Sequence, residues 1–254
     1  MTAQGKVGLS PHHNTKNNEW GDLPDGWEVV KLGDLAEIVT GGTPNTTNNE
    51  FWNGDTAWIT PTDIKENKDM YFGERNISEK GLNVVRKLPL NSLLITCIAS
   101  IGKNAILRNG GACNQQINAI IPNDNFDIDF LYYFFESKKI ELRNMAGVTA
   151  TPIISKALFA TFPIIHPPKP EQTAIATVLS DTDKLIDSLT ALIAKKQAIK
   201  SATMSQLLSG QKRLPELANH SDGTPKTYIQ TDNGKIPEDW EMAKLGEICE
   251  IFFR

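Results

Sequence analysis

The stretch PEQTAIATVLSDTDKLIDSLTALIAKKQAIKSATMSQLLSG, from Pro170 to Gly210, decides how the chain is organised. It holds no glycine or proline between Pro170 and Leu208, and its apolar residues recur at helical spacing. Val178, Thr182, Leu185, Leu189, Leu192, Lys196, Ile199 and Thr203 step alternately by four and three, the seven-residue repeat that lets two helices wrap around each other. Leu179, Ile186 and Ile193 widen this seam. Pro170 suits a first helical turn, Glu171 suits the positive end of the helix dipole, Lys195, Lys196 and Lys200 crowd toward the other end, and Gly210 suits the stop. At about 1.5 Å per residue the run spans roughly 58 Å, more than a compact core needs. An amphipathic helix lying on its own domain is the plainer reading; length and repeat together favour a coiled-coil spacer whose seam (Val178, Leu185, Leu189, Leu192, Ile199) needs a partner.

Outward from this helix, 254 residues allow one or two domains and a sizeable core. With 40% hydrophobic and 22% charged residues the composition is that of an ordinary globular protein. No apolar run is long enough for a membrane span, and the polar stretch from Met1 to Gly21 lacks the apolar centre of a secretion signal, so we expect a mobile tail over residues 1–22 and a cytoplasmic protein. Cys97, Cys113 and Cys249 are odd in number and far apart, which fits reduced thiols, and neither they nor the four histidines have metal-ligand spacing. The net charge of −4 supplies little phosphate neutralisation, so DNA binding by this chain calls for partners.

Before the helix, Leu23-Pro24-Asp25-Gly26-Trp27-Glu28-Val29-Val30-Lys31-Leu32-Gly33-Asp34-Leu35 reads as a proline turn, a tryptophan anchor, a short strand and a helical turn. The phrase returns at Ile236-Pro237-Glu238-Asp239-Trp240, and Pro24/Pro237, Trp27/Trp240, Lys31/Lys244, Leu32/Leu245, Gly33/Gly246 and Ile38/Ile251 stay in register without a gap. This internal repeat marks residues 236–254 as the start of a second unit, with 211–235 as a polar linker. We expect the second copy to be frayed, with Phe252 and Phe253 exposed. Residues 23–168 read as a mixed region: strands at Trp58–Thr60, Leu93–Ile98, Ala105–Leu107, Ile117–Ile121 and Phe162–His166, and a helix from Asp129 to Asn144. The fold class expected is α/β in the α+β sense, one domain with a twisted, partly barrel-like sheet, followed over 169–210 by the coiled-coil-forming helix.

Catalytic signatures are missing. Gly102-Lys103 is followed by Asn104 and lacks the upstream glycine of a phosphate loop, Asp63 and Glu66 are too close on one loop for a nuclease acid cluster, and nothing pairs a nucleophile with a base.

Several phrases in order resemble the specificity subunits of Type I restriction-modification enzymes: the Pro-Asp-Gly-Trp turn and its repeat, Gly41-Gly42-Thr43-Pro44, Trp58-Ile59-Thr60-Pro61-Thr62-Asp63, Ser100-Ile101-Gly102-Lys103, Asn114-Gln115-Gln116, and Phe162-Pro163-Ile164 leading into Pro167-Pro168-Lys169-Pro170-Glu171-Gln172. The resemblance covers residues 23–254. It implies two target-recognition domains, each followed by a helix, the helices packed antiparallel so that the domains read two halves of a split site in double-stranded DNA. It also implies a subunit without catalysis or a cofactor of its own, docking methyltransferase subunits that use S-adenosylmethionine, and an assembly that recruits a restriction and translocation subunit. The sequence departs from that pattern in having one recognition domain and one such helix; pairing of two copies through the seam would restore the symmetry. A spacer of roughly 58 Å also compares with about 34 Å per turn of DNA.

For base reading, Asn104, Asn114, Gln115 and Gln116 both donate and accept, as adenine requires. Lys103 and Arg108 could hold a phosphate or guanine, and Gly41, Gly42 and Thr43 could bring backbone N–H groups to a phosphate. Strand-edge bonding for the amides and a tight bend for the glycines are the plainer alternatives. Lys65, Lys68, Arg75, Arg86 and Lys87 add diffuse attraction at most, and Trp27 and Trp58 read as core anchors. A scaffold that joins protein partners through the helix without reading DNA is the alternative of a different class.

Overall fold

The computed structural model describes residues 21–147, 151–232 and 234–249. The expected N-terminal tail and the expected exposure of Phe252 and Phe253 concern residues outside them. The chain divides into two compact units, Met1–Asp181 and Thr182–Arg254.

The first unit begins with β1 (Glu28–Lys31) and the single turn α1 (Leu32–Leu35), the strand and turn expected after Trp27. β2 (Ile38–Thr40) and β3 (Trp52–Ile59) flank a polar loop, followed by β4 (Asp69–Met70), β5 (Arg75–Ile77) and α2 (Glu79–Leu82). Then come β6 (Ser92–Thr96), β7 (Asn104–Leu107), β8 (Ala112–Cys113) and β9 (Ile117–Ile120). The expected helix over 129–144 is two helices, α3 (Ile128–Ser137) and α4 (Lys139–Met145), because Lys138 leaves helical geometry between them. α5 (Lys156–Ala160) and β10 (Pro163–His166) close the sequence of elements before the long helix α6 (Lys169–Leu208).

Two open sheets carry the unit. One has five strands in the order β2-β9-β6-β7-β4, the other three in the order β5-β3-β8, and β1 pairs antiparallel with β10 as a separate ladder. The described strands form no closed barrel. β6, β7 and β9 are buried along their whole length, so their alternate residues serve two cores. Leu93, Ile95, Ile106 and Ile120 face the helices with Phe130, Phe135, Phe159 and Phe162, whereas Leu94, Ala105, Leu107, Ile117 and Ala119 face Ala57, Ile59 and Cys113 of the three-stranded sheet. The far side of that sheet carries a third cluster of Trp52, Trp58, Ile77, Leu82 and Ala112. The result is helices on one sheet and that sheet on another.

α6 begins inside this core: Ala176 is buried with the phenylalanines, Gln172 accepts from the Asp127 N–H at 2.9 Å and donates to the Pro167 carbonyl at 2.8 Å, and Glu171 accepts from the Trp27 indole at 2.9 Å. Trp27 is therefore a half-exposed strut, while Trp58 is a core residue as expected. The helix runs for 40 residues, about 60 Å, and Val178, Leu185, Leu189, Leu192 and Ile199 are all exposed on it.

In the second unit Gly210, at a φ of +71°, ends α6. The stretch read as a linker carries β11 (Tyr228–Thr231), which pairs antiparallel with β12 (Gly234–Pro237). Arg213 forks onto Asp239 at 2.6 and 2.8 Å, and Lys226 adds a contact to the same carboxylate at 2.9 Å. The repeat is visible in the backbone: α7 (Leu245–Ile248) is the counterpart of α1, with Lys244 at φ −79°, ψ 143° where Lys31 has −77°, 141°. Packing differs, since Leu32 and Leu35 are 0% and 7% exposed whereas Leu245 and Ile248 are 63% and 69% exposed. No described helix is long and apolar enough to cross a membrane.

Candidate nucleic-acid interface

Strand register gathers most of the sequence-chosen residues at one end of the five-stranded sheet. Thr40 lies opposite Asn118, Thr96 opposite Ile117, and Ile95 opposite Asn104. The segments just beyond those pairs are Gly41–Thr43 after β2, Lys103 and Asn104 at the start of β7, and Asn114–Gln116 before β9. Arg108 follows the opposite end of β7, where its N–H bonds the Met70 carbonyl.

The 41–43 and 113–117 segments are bonded together. The Gly41 N–H donates to Ile117 O at 3.1 Å, the Gly42 N–H to Cys113 O at 2.8 Å, and the Thr43 hydroxyl to Gln115 Oε1 at 2.6 Å. A Cβ on Gly41 would stand 2.2 Å from the Asn114 carbonyl, so only glycine permits this approach. The N–H groups of Gly41 and Gly42 are thus spent inside the protein, which is the tight-bend alternative. Asn114 is likewise turned inward: its side chain accepts from the Gln116 N–H at 3.0 Å and donates to the Gln116 side chain at 3.1 Å. Thr43, Lys103 and Gln115 are exposed and Gln116 half-buried, so these can meet a ligand directly. Asn104 is 2% exposed and donates to Glu136 at 2.9 Å, while its Oδ1 has no hydrogen-bond partner among the described residues.

Two tryptophans pin the loop that follows Gly42. The Trp58 indole donates to Gly42 O at 3.0 Å and the Trp52 indole to Asn45 O at 3.1 Å, with the two rings edge to face at 5.0 Å. Asn45 in turn accepts from the Thr47 N–H and hydroxyl at 3.0 and 2.9 Å. Sequence reasoning missed Trp52 and this bracing, because a bulge between Trp52 and Thr56 breaks the alternation that would have put Trp52 and Trp58 on one face of a strand.

Arg108 sits elsewhere and is engaged. Its guanidinium bonds Asp69 and Asp129, each at 2.6 Å, and Asn91 at 3.1 Å. Lys68 shares Asp129 at 2.7 Å and also reaches Ser180 on α6 at 2.7 Å. Burial works against the charge on Asp129, but the two cations prevail and hold its carboxyl below the usual aspartate value. The same bonds raise Lys68 and Arg108 against their own desolvation.

Nothing in the described residues assembles a reaction centre. Asp63 is a loop organiser, accepting from the Thr60 N–H and hydroxyl and from the Glu74 N–H. Burial pushes the Cys97 and Cys113 thiols up to about 11 and about 12, which leaves them unreactive. No described group of acids, histidines and cysteines could hold a metal.

A family model described as Type I restriction modification DNA specificity domain matches residues 24–200. The Type I restriction enzyme MjaIX specificity subunit of Methanocaldococcus jannaschii is 33% identical over 244 residues, covering 93% of this chain and 54% of that protein. The HindI specificity subunit of Haemophilus influenzae is 34% identical over 152 residues, 58% of this chain and 33% of that one. Among solved structures, the HsdS subunit from Thermoanaerobacter tengcongensis superposes with a TM-score of 0.58 at 19% identity, over 74% of this chain and 46% of that one, which is a likeness of fold. A chain from a study of assembly of the type I R-M system gives 0.61 at 20% identity, over 74% and 47%. The chain thus spans about half or less of the length of these proteins, and with the family model matching from Pro24 to Lys200 it belongs to the Type I restriction modification DNA specificity domain family.

Proposed function

We propose that this chain is a DNA sequence-specificity subunit of a Type I restriction-modification assembly, reading one half of a bipartite site in double-stranded DNA. The observation that carries the reading is the family match over residues 24–200, on a domain whose loops gather Thr43, Lys103, Gln115 and Gln116 at one sheet end. Residues 23–168 act as the recognition domain, 169–210 as spacer and dimerisation helix, and 236–254 as the start of a second recognition domain. Lys103 contacts phosphate, the exposed amides read bases, and Gly41, Gly42, Asn104 and Asn114 shape the loops that present them. Arg108 acts through the Asp129 cluster.

The chain performs no chemistry and carries no cofactor; methyltransferase subunits with S-adenosylmethionine dock on it in the cytoplasm, and a restriction and translocation subunit joins them. The exposed stripe Val178, Leu185, Leu189, Leu192 and Ile199 supports self-association as a coiled coil. That stripe also favours the second reading, a helical scaffold that joins protein partners without reading DNA. Sequencing of modified bases in cells carrying the chain with its methyltransferase distinguishes the two: one bipartite methylated motif is expected, and replacement of Gln115 and Gln116 by alanine should relax it. A motif unaffected by the replacement favours the scaffold.

A further inference from the structure

Arg75 lies on β5 opposite Trp58, on the far side of the three-stranded sheet. Its guanidinium carbon stands 3.6 Å from the centre of the Trp52 ring and 5.6 Å from that of Trp58. These are the two indoles that hold the 42–45 loop by its Gly42 and Asn45 carbonyls. Arg108 and Arg213 spend their N–H groups on carboxylates, but among the described residues no acid pairs with Arg75, and its side chain is exposed. A guanidinium lying on a ring has its face covered and much of its rotamer freedom already removed, while its edge of five N–H donors stays available. Planar recognition of a paired acceptor is what that edge does best.

We infer that Arg75 is a DNA-contacting residue, its edge meeting a paired acceptor on guanine or a phosphate while Trp52 holds its plane in register with the 42–47 loop. The inference rests on the DNA-reading role proposed above. It adds to that role a residue whose position is fixed by the same two rings that fix the loop, so that the loop and the guanidinium move as one surface.

The test uses the full chain co-expressed with its methyltransferase subunits. The wild-type methylated motif is read by sequencing of modified bases, and a duplex carrying that motif then serves as the probe for binding by fluorescence anisotropy. Arg75→Ala should weaken binding roughly tenfold to a hundredfold. Arg75→Lys, which keeps the charge and the aliphatic stem but lacks the planar fork, should fall short of wild-type affinity, most of all at a guanine edge. Tolerance of other bases at a single G·C position identifies the guanine edge; a uniform loss with a shallower salt dependence identifies a phosphate. If Arg75→Ala melts early, Arg75→Lys decides: wild-type motif and affinity in that variant overturn the assignment. A wild-type chain that directs no motif overturns the DNA-reading role and this inference with it, whereas wild-type motif and wild-type affinity together in both variants overturn the Arg75 assignment alone.

Discussion

Arg108 and Asp129 meet at 2.6 Å, guanidinium Nη2 on carboxylate Oδ1, and that same oxygen accepts from Lys68 at 2.7 Å. One acid thereby joins the β4 and β7 edge of the sheet to the start of α3, and Lys68 carries the link on to Ser180 of α6. Removing the carboxylate leaves Lys68 without an anion among the described residues and Arg108 with Asp69 alone. Asp129→Ala should destabilise the first unit by about 2–3 kcal/mol, measured by chemical denaturation.

The pH dependence has a definite sign. Asp129 has a lowered folded-state pKa, so its contribution is complete above the unfolded value of about 4 and fades as the pH falls through the folded value. Denaturation midpoints from pH 6 to pH 2 should therefore fall less steeply in Asp129→Asn than in wild type.

Gly41→Ala tests the loop approach. The added methyl meets the Asn114 and Cys113 carbonyls at 2.2 and 2.3 Å, backbone atoms that cannot step aside without opening the 113–117 turn. A loss of about 3 kcal/mol or more is expected in a thermal or chemical melt, with amide exchange quickening at Gly42 and Ile117.

The exposed stripe of α6 gives a fourth expectation. Replacing Leu185 and Leu192 by lysine should weaken self-association at least tenfold or so in sedimentation equilibrium. Melting of the first unit should stay unchanged, because both side chains are already exposed.

Amide exchange compares the two copies of the repeat. Val29 and Val30 are paired with Ile165 and Ile164 in the β1 and β10 ladder, whereas residues 241–244 belong to no strand. Protection is expected at 30, 32 and 36, and fast exchange at 241–249.

How far the sequence carried these conclusions depended on the length of each signal. α6 was legible because its pattern repeats over many turns, and β6, β7, β9 and β10 because each is a short apolar run bounded by turn residues. β3 was read only from Trp58 onward, since Asn53, at a φ of +62°, and Gly54 interrupt its alternation at a bulge between Trp52 and Thr56. β4 and β8 have two residues each, too few to show any period. At the candidate site, residue types located the right loops but not their bonding. Gly42 and Asn114 turn inward because Cys113 O and the Gln116 backbone lie within reach. Arg108 offers a sequence reading only its charge, because the acids that claim it are distant in sequence. Arg75 reads as a surface cation because the ring beneath it belongs to another strand.

The twin turns α1 and α7 have a consequence for how this chain acquires its shape. Four residues take up one backbone geometry whether their apolar side chains are sealed in a core, as Leu32 and Leu35 are, or open to water, as Leu245 and Ile248 are, so the two copies share a conformation without sharing a core. What the first copy adds is enclosure: a lone turn is marginal in water, and burial of Leu32 and Leu35 is what makes the same geometry persist.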